Sequence, residues 1–131
     1  MAQRPGSWTN LAHTLRQIAP FLPPRGERAA DEVDLYYRRA CLAATEERYD
    51  VALIFCGKAL EVHPDHLPTR LLVGQIHDRG LHNVDEAVAA YRKVIALGGY
   101  ATDNPYCAAA RVGLDSLVAA AVEAGAAEFV G

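Results

Sequence analysis

The sequence predicts an all-α protein, a stack of antiparallel helical hairpins with about six helices. Three observations predict it. Apolar residues recur at three- and four-residue spacing over most of the chain, while strand-like alternation is rare. Proline and glycine punctuate the chain at intervals of one helix length. The helical pattern between residues 33 and 64 returns 34 to 35 residues further on.

Ser7 to Ala19 carries Trp8, Leu11, Ala12, Leu15 and Ile18 on one stripe, with Ser7 placed to cap it and Pro20 to end it. Phe21 to Gly26 reads as a stiff linker around Pro23-Pro24. Residues 1–26 are therefore expected to be an N-terminal helix and linker, and 27–131 the repeat domain. A second helix runs through the 30s to about Glu47, with Asp31 a possible cap unless the helix begins a turn or two earlier.

The stretch Tyr49 to Pro64 organises the rest. Ala52, Phe55, Cys56, Ala59, Leu60 and Val62 define its apolar side, Asp50 is expected to cap its start, and Pro64 stops it. Pro68 to Arg79 forms the next helix, with Pro68 in its first turn and Gly80 as the expected C-terminal cap. Asn83, with Glu86 three residues on, has the spacing of a capping box and opens a helix that ends at Gly98-Gly99. A last, alanine-rich helix starts near Asn104.

The repeat is close enough to align. Ala40 and Gly74 are 34 apart; Ala52 and Ala87, Cys56 and Tyr91, Ala59 and Val94, and Leu60 and Ile95 are each 35 apart. One residue is thus inserted between the copies, and the turn from Leu81 to Val84 is the expected place. Small residues at Ala40, Gly74, Ala52 and Ala59 let two helices approach closely, and bulk there would wedge them apart.

These residues resemble the tetratricopeptide repeat family, whose pattern runs W-x2-L-G-x2-Y, A-x3-F and P. The first copy has Tyr36, Arg39, Ala40, Ala43, Ala52-x3-Cys56, Ala59 and Pro64. The second has Arg70, Val73, Gly74, His77, Ala87-x3-Tyr91 and Val94. Arg39 stands where leucine is usual, Arg70 replaces an aromatic residue, and Gly99 replaces the second proline. The likeness spans roughly residues 33–99, with Tyr106 and Ala110 of the last helix in register as a further first helix. It implies a right-handed superhelical α-solenoid with a concave side lined by the first helix of each pair.

In that register the concave side carries Tyr37, Cys41 and Ala44, then Leu71, Gln75 and Asp78, then Cys107, Arg111 and Leu114, flanked by Asp34 and Arg38. The resemblance implies a groove for an extended peptide or partner helix, with Asp34, Tyr37, Arg38, Cys41, Leu71, Gln75, Asp78 and Arg111 as its contacts. Two alternatives stand beside it: the N-terminal helix fills the groove, or the surface is merely solvated. The family's carboxylate clamp for chaperone tails uses Lys, Asn and Arg. Here the equivalent places hold Tyr37, Cys41, Leu72, Pro68 and Arg111, so that use is not expected.

Composition narrows the function. The formal net charge is −3, and no basic cluster exceeds Arg38-Arg39, so nucleic acid is not an expected partner. No apolar run is long enough for a membrane span, and no secretory signal pattern opens the chain. Cys41, Cys56 and Cys107 are odd in number and widely spaced, which reads as reduced thiols in a cytoplasmic protein. The only serines, Ser7 and Ser116, lack a nucleophile context. His63, Asp65, His66, His77, Asp78 and His82 have the residue types of a metal site without its context. The expectation is a non-catalytic adaptor or scaffold with no cofactor or metal that binds another protein. The alternative is a self-assembling structural subunit. Its contacts would be Leu114, Leu117, Val118 and Val122 on the apolar last helix, where a terminal repeat should present a polar face.

Overall fold

A computed structural model of the chain describes residues 25–101 and 103–130. The expected helix from Ser7 to Ala19 and most of the linker lie outside the described residues. The described residues form five helices: α1 (Arg25–Thr45), α2 (Tyr49–Val62), α3 (Leu67–Gln75, carried on by a π turn over Ile76–Gly80), α4 (Val84–Leu97) and α5 (Pro105–Val130). The connections are short, which makes successive helices antiparallel neighbours. α1 pairs with α2 and α3 with α4, while α5 packs across α3 and α4.

α1 begins ahead of Asp31, in line with the earlier of the two possible starts, and ends in a left-handed residue, Glu47 at φ 61°. There Arg48 N–H donates to Ala43 O at 2.8 Å, which satisfies a terminal carbonyl. Asp50 makes no capping hydrogen bond. It sits in the first turn of α2, where its charge meets the positive end of the helix dipole. Pro68 occupies the first turn of α3, as its missing N–H allows. At α4, Asn83 Oδ1 accepts from Glu86 N–H at 3.5 Å. Asn104 Oδ1 accepts from Tyr106 N–H at 2.9 Å and Cys107 N–H at 3.2 Å, capping α5.

The inserted residue is not in the Leu81–Val84 turn. Ala40 and Gly74 correspond at 34 residues, but the left-handed residues Glu47 and His82 (φ 54°) already correspond at 35. The extra residue therefore lies inside the helix, where Ile76–Gly80 widens into a π turn and Leu81 N–H reaches back to Ile76 O at 2.9 Å. Gly80 is not a left-handed cap either; that conformation belongs to His82. A Cβ on Gly80 would lie 2.7 Å from Tyr49 Cε1, so the glycine makes room for the ring that opens α2.

Two clusters form the core. Ala40, Ala43, Ala52, Cys56 and Ile76 close the first hairpin against the second. Leu71, Ala87, Tyr91, Val94, Ile95 and Ala110 close the second against α5. The aligned pairs are complementary in size. In the first copy Ala40 meets the small Cys56. In the second, Gly74 faces Tyr91, whose ring also lies against Gly113 of α5. Tyr91 is fully buried, and its hydroxyl donates to Asp78 Oδ2 at 2.8 Å. Burial, then that carboxylate, drives the phenol pKa far above its ordinary value.

Candidate functional site

A cleft of about 360 Å³ opens between α1 and α3. Cys41, Ala44 and Thr45 line it from α1, Leu72 and Gln75 from α3, Ile76, Arg79 and Gly80 from the π turn, and Tyr49 from the start of α2. Its walls are the first helices of the two hairpins. The lining is mainly apolar, with Gln75 and Arg79 among its polar residues. Thr45 is already engaged, its hydroxyl donating to Cys41 O at 2.9 Å.

Of the residues read from the sequence, Cys41 and Gln75 are brought together here. Tyr37 lies further along α1, half-buried edge-to-face against His66 at 5.7 Å between ring centroids. Burial and the neighbouring Cys41 push its pKa up to about 12, so the phenol is neutral. Asp34 and Arg38 are exposed and pair with each other, one helical turn apart. Arg111 is tied to the loop before α5, where Nη2 donates to Tyr100 O at 2.9 Å.

Two expected contacts sit elsewhere. Leu71 is only 9 % exposed and packs with Ala87, Tyr91 and Ala110, because α5 covers the side of α3 that corresponds to Tyr37 on α1. Asp78 turns inward to Tyr91. The π turn is the cause. One added residue rotates the remainder of the helix by about 100°, so the position aligned with Ala44 passes from Asp78 to Arg79. Arg79 was thus missed, and Leu72, Ile76 and Tyr49 line the cleft without having been among the expected contacts. The shared positive φ of Glu47 and His82 locates the shift, and nothing in residue spacing does.

The last helix also divides. Leu114 and Leu117 are partly buried against the chain's own core. Val118 and Val122 are exposed, as is Val112. His66 serves the fold. His66 Nδ1 lies 2.7 Å from the hydroxyl of the fully buried Thr69, joining the turn to the first turn of α3. Burial, with His63 beside it, lowers the His66 pKa. Among the described residues no group of three or more His, Cys, Asp or Glu gathers as metal ligands. No helix among them is long and apolar enough to cross a membrane.

Residues 33–66, which run from α1 through α2 to the turn before α3, match the sequence model of the tetratricopeptide repeat. No curated protein and no solved structure matches the chain. The match falls on the first hairpin, so residues 33–66 form a hairpin similar to one tetratricopeptide repeat, and the second hairpin repeats its geometry with one residue added.

Proposed function

We propose that the chain is a non-catalytic adaptor whose cleft between α1 and α3 holds an extended peptide or a partner helix. One observation carries this reading: an open, mainly apolar cleft of about 360 Å³ lies between two first helices. A pocket of that size accepts one or two side chains, which is the scale of an anchor residue at an interface. Ala44, Leu72 and Ile76 favour an apolar anchor. Gln75 and Arg79 in the same lining favour a backbone carbonyl or a carboxylate next to it.

Tyr37, Asp34 and Arg38 continue the same helix beyond the cleft and belong to the proposed surface as a second patch of contacts. Residues Cys41, Cys56 and Cys107 are free thiols, which supports placing the protein in the reducing cytoplasm.

The test is selection of displayed peptides on the full chain. Peptides sharing an apolar anchor are expected. Their binding should be lost with Leu72→Glu and with Ala44→Trp, at melting temperatures close to that of the unaltered protein. Selected peptides that bind both variants equally well would refute the cleft as the site.

A further inference from the structure

Among the described residues, both ends of the helical stack present an uncovered apolar strip, with basic residues at the centre of one and an acidic residue beside the other. At the α1–α2 end, Leu35, Leu42 and Ile54 are exposed. Leu35, Arg39 and Leu42 share one side of α1 at i, i+4 and i+7, and Ile54 and Lys58 share one side of α2 at i and i+4. Two contacts show that these sides adjoin. The Arg39 guanidinium lies 5.9 Å from the centre of the Phe55 ring, and Lys58 Nζ lies 6.0 Å from that of Tyr36. Arg39 and Lys58 have no acidic partner among the described residues. Glu32 and Glu46 on α1, and Asp50 and Glu61 on α2, share these sides at the ends of the strip, and Glu46 lies 3.7 Å from Arg48.

The other end is α5. Its 26 residues span about 39 Å at 1.5 Å per residue, against about 21 Å for the 14 residues of α4. Residues 118–124 are exposed without exception, so the described residues leave this part of α5 largely uncovered. Yet it is almost wholly Val and Ala, and a helix apolar around its circumference is normally buried. Val118 and Val122 lie one turn apart, and Asp115 shares their side at i−3 from Val118. Asp115 has no cationic partner among the described residues.

We propose that the uncovered half of α5 packs on the α1–α2 strip of a second copy, so that copies join head to tail. Val118 and Val122 cover Leu35, Leu42 and Ile54, and Asp115 meets Arg39 and Lys58. The contact extends the stacking already inside the chain, where the second hairpin covers the first and α5 covers the second. It is heterologous: a dimer keeps one free strip of each kind, so association continues past it into a ring or an open filament. This surface is separate from the cleft, and its failure leaves the adaptor reading untouched.

The experiment is sedimentation equilibrium of the full chain over a wide concentration range. The average mass should rise with concentration beyond that of two copies. Leu42→Asp and Val122→Asp, at positions 61 % and 66 % exposed, should each stop this growth without lowering the melting temperature. Mixed in equal amounts, the two variants should form a species of twice the monomer mass and nothing larger, since only one intact strip of each kind remains. Asp115→Lys should weaken association, and Lys58→Asp in the partner should restore it. A mixture that stays monomeric overturns the proposal. So does dimerisation of Leu42→Asp alone, which would mean that α5 pairs with itself. A wild-type chain that is monomeric throughout, with a melting temperature lowered by Leu42→Asp, also overturns it, because the chain's own residues then cover the strip.

Discussion

Replacing Gly74 tests the packing on which both hairpins depend. A Cβ at this position would lie 2.7 Å from both Cδ1 and Cε1 of Tyr91. The ring cannot step aside freely: its other edge lies 2.6 Å from where a Cβ on Gly113 would be, and its hydroxyl is held by Asp78. Two terms of opposite sign compete. Glycine to alanine inside a helix gains about 0.8–1.0 kcal/mol from backbone propensity, whereas forcing one more carbon into a close-packed core costs about 1–3 kcal/mol. Gly74→Ala should therefore be destabilising by up to about 2 kcal/mol, and Gly74→Leu by more, since its extra atoms have nowhere to go.

Gly57 supplies the control. It is exposed in the middle of α2, and a Cβ placed on it would have nothing within 4 Å, so Gly57→Ala should raise stability by about 0.8–1.0 kcal/mol. Urea denaturation followed by circular dichroism measures both. A second arm isolates the ring: with Tyr91→Leu in place, Gly74→Ala should cost far less than in the parent. If Gly74→Ala stabilises the protein as much as Gly57→Ala does, the close approach of α3 to Tyr91 is refuted.

Other outcomes rest on the same contacts. His66 is held neutral by burial and by His63, so its folded pKa lies below the 6.5 of an unperturbed histidine. The unfolded chain then binds more protons in that window, and stability should be full above pH 6.5 and fall as the pH drops below it. Urea midpoints measured from pH 5 to 8 should show that slope, and His66→Asn should flatten it. Asn104→Ala removes an acceptor with two short bonds and should cost about 0.5–2 kcal/mol, while Asn83→Ala, losing one bond of 3.5 Å, should cost less. The melting temperatures of the two variants rank them directly. Tyr91→Phe leaves the Asp78 carboxylate without its phenol donor and should cost about 1–3 kcal/mol; a stability equal to that of the parent would show that water replaces the bond at no loss.

The helices and the repeat were legible in the residues themselves because both are local. Apolar periodicity, Pro64 and Pro68, and Asn83 ahead of Glu86 mark helix ends through the few residues on either side. The aligned small residues Ala40, Gly74, Ala52 and Ala87 are all buried where the repeat puts them. Of the contacts expected along the concave side, Cys41 and Gln75 line one cleft. Spacing alone cannot tell an extra residue in a turn from one in the last turn of a helix, since both shift the downstream register equally. The structure places it in the π turn, and that choice moves Asp78 into the core and Arg79 to the cleft.

The sequence by itself thus determined that this is a hairpin repeat protein, which helices pair, and which positions must be small. Tertiary structure alone decided which side of each apolar helix is covered. Leu71 and Leu72, or Leu117 and Val118, are neighbours of equal hydrophobicity about 100° apart around their helices. Which of each pair is buried depends on where α5 lies across α3 and on where α4 ends beneath α5, contacts between segments distant in the chain that no local pattern encodes.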